Sequence, residues 1–276
     1  MQNTGRTNRR LTGVVLSVWT NREIIKAFIV REIAGRYRGS FGGLLWSLIN
    51  PLLMLAIYSF VFAVVFKARW SSSEAENEAG FAVILFVGLI VHGLFSECLM
   101  RAPRLVIDHA NFVKKVVFPL EILPIVTLGV ALFHAGISFL VLIVAMLATE
   151  MPLHASIFLL PAVLLPFLIL TLGLSWFIAA LGVYVRDIGQ VIGLLMTMLM
   201  FLSPVFYPLS SLPERFRPIV LLNPLTLPIE QLRSVVIWGH PPLWGALLGY
   251  SLLALAIASF GFWWFQSSRK GFADVL

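Results

Sequence analysis

The 276-residue sequence predicts an all-α, polytopic membrane protein with six transmembrane helices in a single domain, residues 1–276. Three observations carry that prediction. Hydrophobic residues make up 59% of the chain and charged residues 12%, against roughly 25% charged in soluble domains. Residues 44–66 contain no Asp, Glu, Lys or Arg, a run long enough to cross the roughly 30 Å hydrocarbon core as one helix. The basic stretch Arg36-Tyr37-Arg38 turns through glycines straight into that run. Each such charge would cost about 2.5–3.5 kcal/mol at the bilayer centre, so the junction marks the step from a water surface into lipid. Helices are expected because a spanning chain must satisfy its backbone hydrogen bonds internally. A closed barrel needs alternating polar residues, which these runs lack.

The elements follow in order. Residues 1–43 form a basic amino-terminal segment whose first 13 residues are polar, so no cleavable signal peptide is expected. Within it, about 14–38 mixes Trp19, Ile25, Phe28 and Ile29 with Arg22, Glu23, Lys26, Arg31 and Glu32. That stretch is too charged to span and fits a helix lying along the interface, either a lipid-surface anchor or a protein contact. The first span is about 44–66 and the second about 79–100. The loop 101–119, RAPRLVIDHANFVKKVVFP, is longer than a plain connection needs and suits a short helix around Asp108–Lys115. The third span is about 120–148, the fourth about 155–183, and the fifth runs from Ile188 to near Tyr207. Residues 204–242 then hold eight of the fifteen prolines, with apolar pieces at 216–222 and 234–238 too short to cross. Such pieces suggest re-entrant helices, tolerated at membrane depth where protein buries them or a cavity receives them. The sixth span is about 242–265.

Fifteen of the twenty Lys and Arg residues fall on one side of this arrangement and five (Lys67, Arg69, Arg215, Arg217, Arg233) on the other. That asymmetry predicts both termini in the cytoplasm. The acidic Glu74, Glu76 and Glu78 add weak support. Trp46, Trp70, Trp238, Trp244, Trp263 and Trp264 mark span ends, as interfacial aromatics do. The net charge of +7 sits beside apolar spans and reads as contact with anionic membrane lipids rather than nucleic acid.

Several chemistries lack their residues. There is no P-loop pattern, no His-Glu-x-x-His and no Gly-x-Ser-x-Gly. No catalytic residue, metal site or cofactor is therefore expected in this chain. The lone Cys98 allows no internal disulfide and reads as a small core residue. Glu97 and Glu121 fall near the cytoplasmic ends of spans. His92 and His134 read as neutral histidines hydrogen-bonded between helices, so the spans are expected to be electrically quiet.

Four stretches carry a family resemblance: RYRGSFGGLLWSLINPLLMLAIYSFVF at the start of span one, NFVKKVVFPLEILPI leading into span three, YVRDIGQV with FLSPVFYP around span five, and LNPLTLPIEQLR in the proline-rich segment. In order and spacing, over about residues 20–265, the chain resembles the permease subunit of type-2 ABC exporters for lipid-linked polysaccharide: O-antigen, capsule and teichoic acid, with the O-antigen branch nearest. The resemblance implies a homodimer in the bacterial inner membrane, working with two copies of a separate cytoplasmic ATPase that binds ATP and magnesium. It also implies an interface helix beside the ATPase and a coupling helix over about 104–115, with Arg104, Asp108, His109, Asn111, Phe112, Lys114 and Lys115 as candidates. Spans one and five would line a channel, and re-entrant helices would cap its exit.

A long hydrated polysaccharide suits a tunnel lined by aromatics that stack on sugar rings. Tyr58, Phe60 and Phe62 in span one, with Tyr58 and Phe62 on one helix face at i, i+4, and Phe201, Phe206 and Tyr207 near the end of span five are the candidates; packed or lipid-facing aromatics fit the same positions. Arg31, Arg36 and Arg38 suit the diphosphate of an undecaprenyl-linked substrate, or plain anionic lipid. Ser203, Pro204, Pro208 and Pro213 are candidates for the external gate. Two other classes share part of the pattern: a permease exporting drugs or small lipids, and a membrane enzyme acting on lipid-linked sugars. The second would need convergent acids or a metal set, which the sequence lacks.

Overall fold

A computed structural model describes residues 17–66, 70, 78–115 and 118–276, and among these the chain is helical throughout, with no strand. Helix α1, Arg22–Tyr37, follows a helical turn at 17–20. Span one begins as α2, Trp46–Tyr58, and continues as a π-helical segment, Ser59–Val65. Then come α3, Glu78–Leu105; the short α4, Ala110–Lys115; α5, Leu123–Ala148; and α6, Leu160–Tyr184. They are followed by α7, Ile188–Leu202; α8, Arg217–Leu221; α9, Thr226–Val236; α10, Trp244–Ser268; and α11, Phe272–Val275. Lys67, Arg69, Glu74 and Glu76, and the start of the expected interface helix, lie outside the described residues.

The molecule is an all-α polytopic membrane protein. Five helical segments are long and apolar enough to cross a bilayer: Gly43–Phe62, Gly80–Leu105, Leu120–Ala148, Ala155–Tyr184 and Trp244–Val275. The fifth expected span differs. Helix α7 has 15 residues, about 22 Å at 1.5 Å per residue, and stops at Ser203 rather than near Tyr207. Pro204 disfavours helical geometry in the residue before it, and Ser203 is extended, with φ −90° and ψ 154°.

Helix α3 is the central post. Two-thirds (67%) of its most apolar stretch is buried, against 6% for span one, which lies at the periphery. The tightest crossings use missing side chains. A Cβ on Gly173 would stand 2.5 Å from the Ala258 Cα, and one on Gly261 would meet the Gly173 carbonyl, so α6 and α10 touch backbone to backbone. A Cβ on Gly182 would likewise strike Pro103, bringing α6 against α3. Small residues at helix crossings are how membrane helices gain dispersion contact where no hydrophobic drive exists.

The two ends of the bundle are built differently. At the basic end, α1, the 101–119 loop and the tail share one buried cluster around Ile25, Val106, Phe118, Trp176, Phe265 and Phe272. Gly129 leaves the space that the Ile29 side chain fills, so α1 packs against protein along one face. Glu121 ties the segments together: it accepts from Arg269 Nη1 at 3.0 Å and from Ser17 Oγ at 3.2 Å, while Arg269 Nη2 donates to the Phe118 carbonyl at 2.7 Å. The start of the described chain and its tail thus lie at the same end. At the opposite, proline-rich end, α9 packs against α3 and α6 and binds the turn that follows α7, with α8 beside it.

Candidate functional site

Three places bring the sequence-predicted residues together, and a fourth was not anticipated. The first is the loop between α3 and α5. It folds as a 3-10 turn, Ile107–His109, leading into α4, close to the expected helix around Asp108–Lys115. Its faces divide cleanly. Phe112 stacks on Phe118, with centroids 4.6 Å apart, and packs against Phe28 of α1. His109 Nδ1–H donates to the Leu105 carbonyl, 2.8 Å away, and the ring lies over Phe112. Arg104 at the end of α3, Asp108 in the 3-10 turn and Asn111 in α4 are exposed. An aromatic root therefore fixes the loop while these polar residues are presented outward. The side chains of Lys114 and Lys115 lie outside the described part. Arg101 Nη1, 3.1 Å from Glu32 Oε2, links the loop to α1.

The second is an aromatic chain between span one and the end of α7. Tyr58 and Phe62 pack 6.2 Å apart. Both meet Phe206, on which Phe62 stacks at 5.6 Å, and Phe206 stacks on Phe201 at 5.7 Å. Phe201 is exposed. Tyr207 turns back to donate to the Phe201 carbonyl at 3.2 Å. The sequence singles out all five of these rings, and Phe206 is the one that connects the two pairs. Phe60, the sixth candidate, is exposed and stands outside the chain of ring contacts among the described residues.

The third is the gate segment. Ser203 and Pro204 are buried, Pro208 is half-buried and Pro213 exposed. Asn223 Nδ2 donates to Ser203 Oγ at 2.9 Å, and the Asn223 Oδ1 accepts from the Leu225 amide. Arg233, fully buried on α9, donates to the Pro204 carbonyl (2.5 Å), the Val205 carbonyl (2.9 Å), the Ile84 carbonyl (3.1 Å) and Glu230 Oε1 (3.0 Å). Its guanidinium also lies 4.2 Å from the Trp70 ring centre. One side chain thus satisfies the carbonyls left open where α7 ends and clamps them to α3. Charge counting reads Arg233 only as an external cation, and its role needed the third dimension.

The fourth place sets an arginine–glutamate pair beside a histidine of α5. Both His92 and His134 are hydrogen-bonded between helices, as expected: His92 is buried, with Nε2 3.0 Å from the Met196 carbonyl. His134 meets a carboxylate. Its Nδ1 lies 2.8 Å from Glu97 Oε2, and its Nε2 lies 3.0 Å from the Tyr37 hydroxyl. Arg36 Nη1 donates to Glu97 Oε1 at 2.5 Å. One proton pattern satisfies the set: the Tyr37 hydroxyl donates to Nε2, and Nδ1–H donates to the carboxylate. Burial raises the Tyr37 phenol above its ordinary value, against the pull of Arg36, which keeps it a donor at neutral pH. This cluster lines a cavity of about 450 Å³ between α1, span one, α3 and α5. The signal was present in Glu97 and His134, yet nothing in their sequence positions says that they meet. Arg31 lies over the Phe28 ring at 4.1 Å, and Arg31 and Arg38 have no carboxylate within salt-bridge distance among the described residues.

No group of three or more potential metal ligands gathers among the described residues. Comparison with known proteins agrees with the architecture. The chain is 30% identical, over 95% of its length and 99% of the relative's, to an O-antigen export system permease protein, RfbA, of Myxococcus xanthus. It is 24% identical, over 78% of its length and 82% of the relative's, to the polysialic acid transport protein KpsM of Escherichia coli. It is 26% identical, over 88% of its length and 91% of the relative's, to the capsule polysaccharide export inner-membrane protein CtrC of Neisseria meningitidis. Residues 23–237 match the ABC-2 type transporter family, and with most of its length inside that match the chain belongs to this family.

Proposed function

We propose that the chain is the channel-forming permease subunit of an ATP-driven exporter that carries undecaprenyl-linked polysaccharide, O-antigen first, from the cytoplasm to the periplasm across the bacterial inner membrane. The observation that carries this reading is the end-to-end similarity to a permease named for O-antigen export. In this reading two copies of the chain pair through span one and α7, whose apolar residues Leu48, Leu52, Ile57, Leu194, Met198 and Leu202 are exposed in the single chain. Such exposure suits either lipid or a second copy. Helix α7, together with the turn after it, makes the fifth of six crossings, α8 and α9 form the re-entrant cap, and both termini face the cytoplasm. Two ATPase subunits receive Arg104, Asp108 and Asn111, with Lys114 and Lys115 beside them. The aromatic chain from Tyr58 to Phe201 lines the sugar path, and Arg31 and Arg38 meet the lipid diphosphate.

The test is reconstitution. With its ATPase in proteoliposomes the chain is expected to carry the glycolipid; alone it should neither consume ATP nor move glycan, and either activity unaided would overturn the reading. Replacing Lys114 and Lys115 by Glu is expected to abolish export and stimulated ATP hydrolysis while membrane insertion persists. Similarity to the capsule and polysialic acid proteins supports a second reading, export of capsule. Deleting the gene and asking which surface polymer disappears separates the two.

A further inference from the structure

The cavity beside Glu97 has the composition of a carbohydrate site. Its volume of about 450 Å³ lies within the roughly 300–1,000 Å³ of small-ligand pockets. Three helices contribute one face each: Ser47, Asn50, Met54 and Tyr58 from span one, Phe86, Ile90, Gly93 and Glu97 from α3, and His134 and Ser138 from α5. The end nearest α1 is polar and the other apolar. At the polar end the Arg36 charge is already answered by Glu97, so an incoming phosphate would face that carboxylate as well as the guanidinium. An incoming cation would face Arg36. The cluster therefore disfavours either sign of charge and favours a neutral, hydroxyl-rich group. A carboxylate has about four acceptor positions, and Arg36 and His134 leave room at Glu97 for a hydroxyl. The Asn50 amide and the Tyr58 hydroxyl have no hydrogen-bond partner among the described residues. Met54, Phe86 and Ile90 offer an apolar wall to the C–H face of a ring.

We propose that this cavity binds one uncharged pyranose ring, the sugar next to the lipid diphosphate, with Glu97 and Asn50 holding its hydroxyls and Tyr58 and Phe86 its apolar face. The proposal rests on the export reading above and divides the work: Arg31 and Arg38 take the diphosphate, and the neutral cluster takes the sugar. The site then distinguishes a glycosylated lipid from the bare carrier, which is the distinction an exporter needs if empty carrier is to stay behind.

The test uses the complex of this chain with its ATPase in nanodiscs and two radiolabelled probes: polyprenyl diphosphate, and polyprenyl diphosphate bearing one N-acetylhexosamine. Hydrogen bonds to a charged acceptor are expected to make the sugar-bearing probe bind about tenfold more tightly. Gly93→Trp should erase that increment and leave the bare probe unaffected; Glu97→Gln should also erase it, while the Arg36 charge it uncovers tightens the bare probe. Gly93 is suited to this because a Cβ there meets nothing within 4 Å, so a large side chain fills the cavity without moving the backbone. Equal affinity of the two probes for the unaltered complex would overturn the sugar site and leave the export reading standing. An increment that survives both substitutions would also overturn the site. If neither probe binds, the export reading falls and takes the site with it.

Discussion

Two of the arginine–glutamate pairs, at opposite ends of the same bundle, are opposites in construction. Arg233 and Glu230 form the pair at the proline-rich end, where the arginine is 0% exposed and three backbone carbonyls share its donors. Arg36 and Glu97 form the pair at the basic end, where the arginine is 48% exposed and the carboxylate borders a cavity. In the first the arginine is sealed and its donors are taken up by carbonyls and by Glu230, so the cation has nothing left to offer a ligand. The second keeps unused acceptor capacity beside open space. Burial and saturation, more than residue type, separate a clamp from a site.

That comparison breaks most readily at Arg233. Arg233→Ala would strand the Ile84, Pro204 and Val205 carbonyls in a buried setting and leave the part-exposed Glu230 without its partner. Breaking a buried pair costs about 3–5 kcal/mol, and thermal unfolding in detergent should show a large loss. Arg233→Lys should recover only part of it, because an ammonium cannot reproduce the planar fork that reaches α3 and the end of α7 together. If Arg233→Ala unfolds like the unaltered protein, the clamp is decorative and the contrast between the two ends disappears.

A smaller effect is expected next to it. Asn223→Ala removes the donor to Ser203 and the acceptor of the Leu225 amide. Leaving buried polar groups unpaired costs about 1–3 kcal/mol, so the same measurement should place this variant between the unaltered protein and Arg233→Ala. Because Asn223 and Arg233 both hold the segment after α7, the double substitution should lose less than the two single losses added together.

The two ends also differ in how much of them the sequence disclosed. Charge-free runs and clustered basic residues located the long spans to within a few residues, because lipid imposes length and composition directly on the chain. The end of α7 was misplaced: hydrophobicity continues through Val205 and Phe206, while Pro204 stops the helix earlier. The exposed polar residues of the 101–119 loop were legible, since composition over so short a stretch is a local property. The clamp and the cavity were not. Arg233 reaches Ile84, and Glu97 reaches His134 and Arg36, across separations that only helix packing brings together. His92 and His134 look alike in sequence, each a single histidine in an apolar run. One meets a carbonyl of α7 and the other a carboxylate, and the neighbouring helix decides which.

The sharpest use of the comparison is also the smallest change in stability. Glu97→Gln keeps the shape of the side chain and leaves an amide oxygen for His134 Nδ1–H, but it removes the charge that answers Arg36. Arg36 is half-exposed, so water can take over its solvation, and pairs of that kind contribute about 0.2–1 kcal/mol. Thermal unfolding of Glu97→Gln should therefore sit close to the unaltered protein, several-fold nearer than Arg233→Ala. A loss as large as that of Arg233→Ala would mean that the Glu97 cluster is a second sealed clamp, and the open cavity beside it would no longer distinguish the two ends.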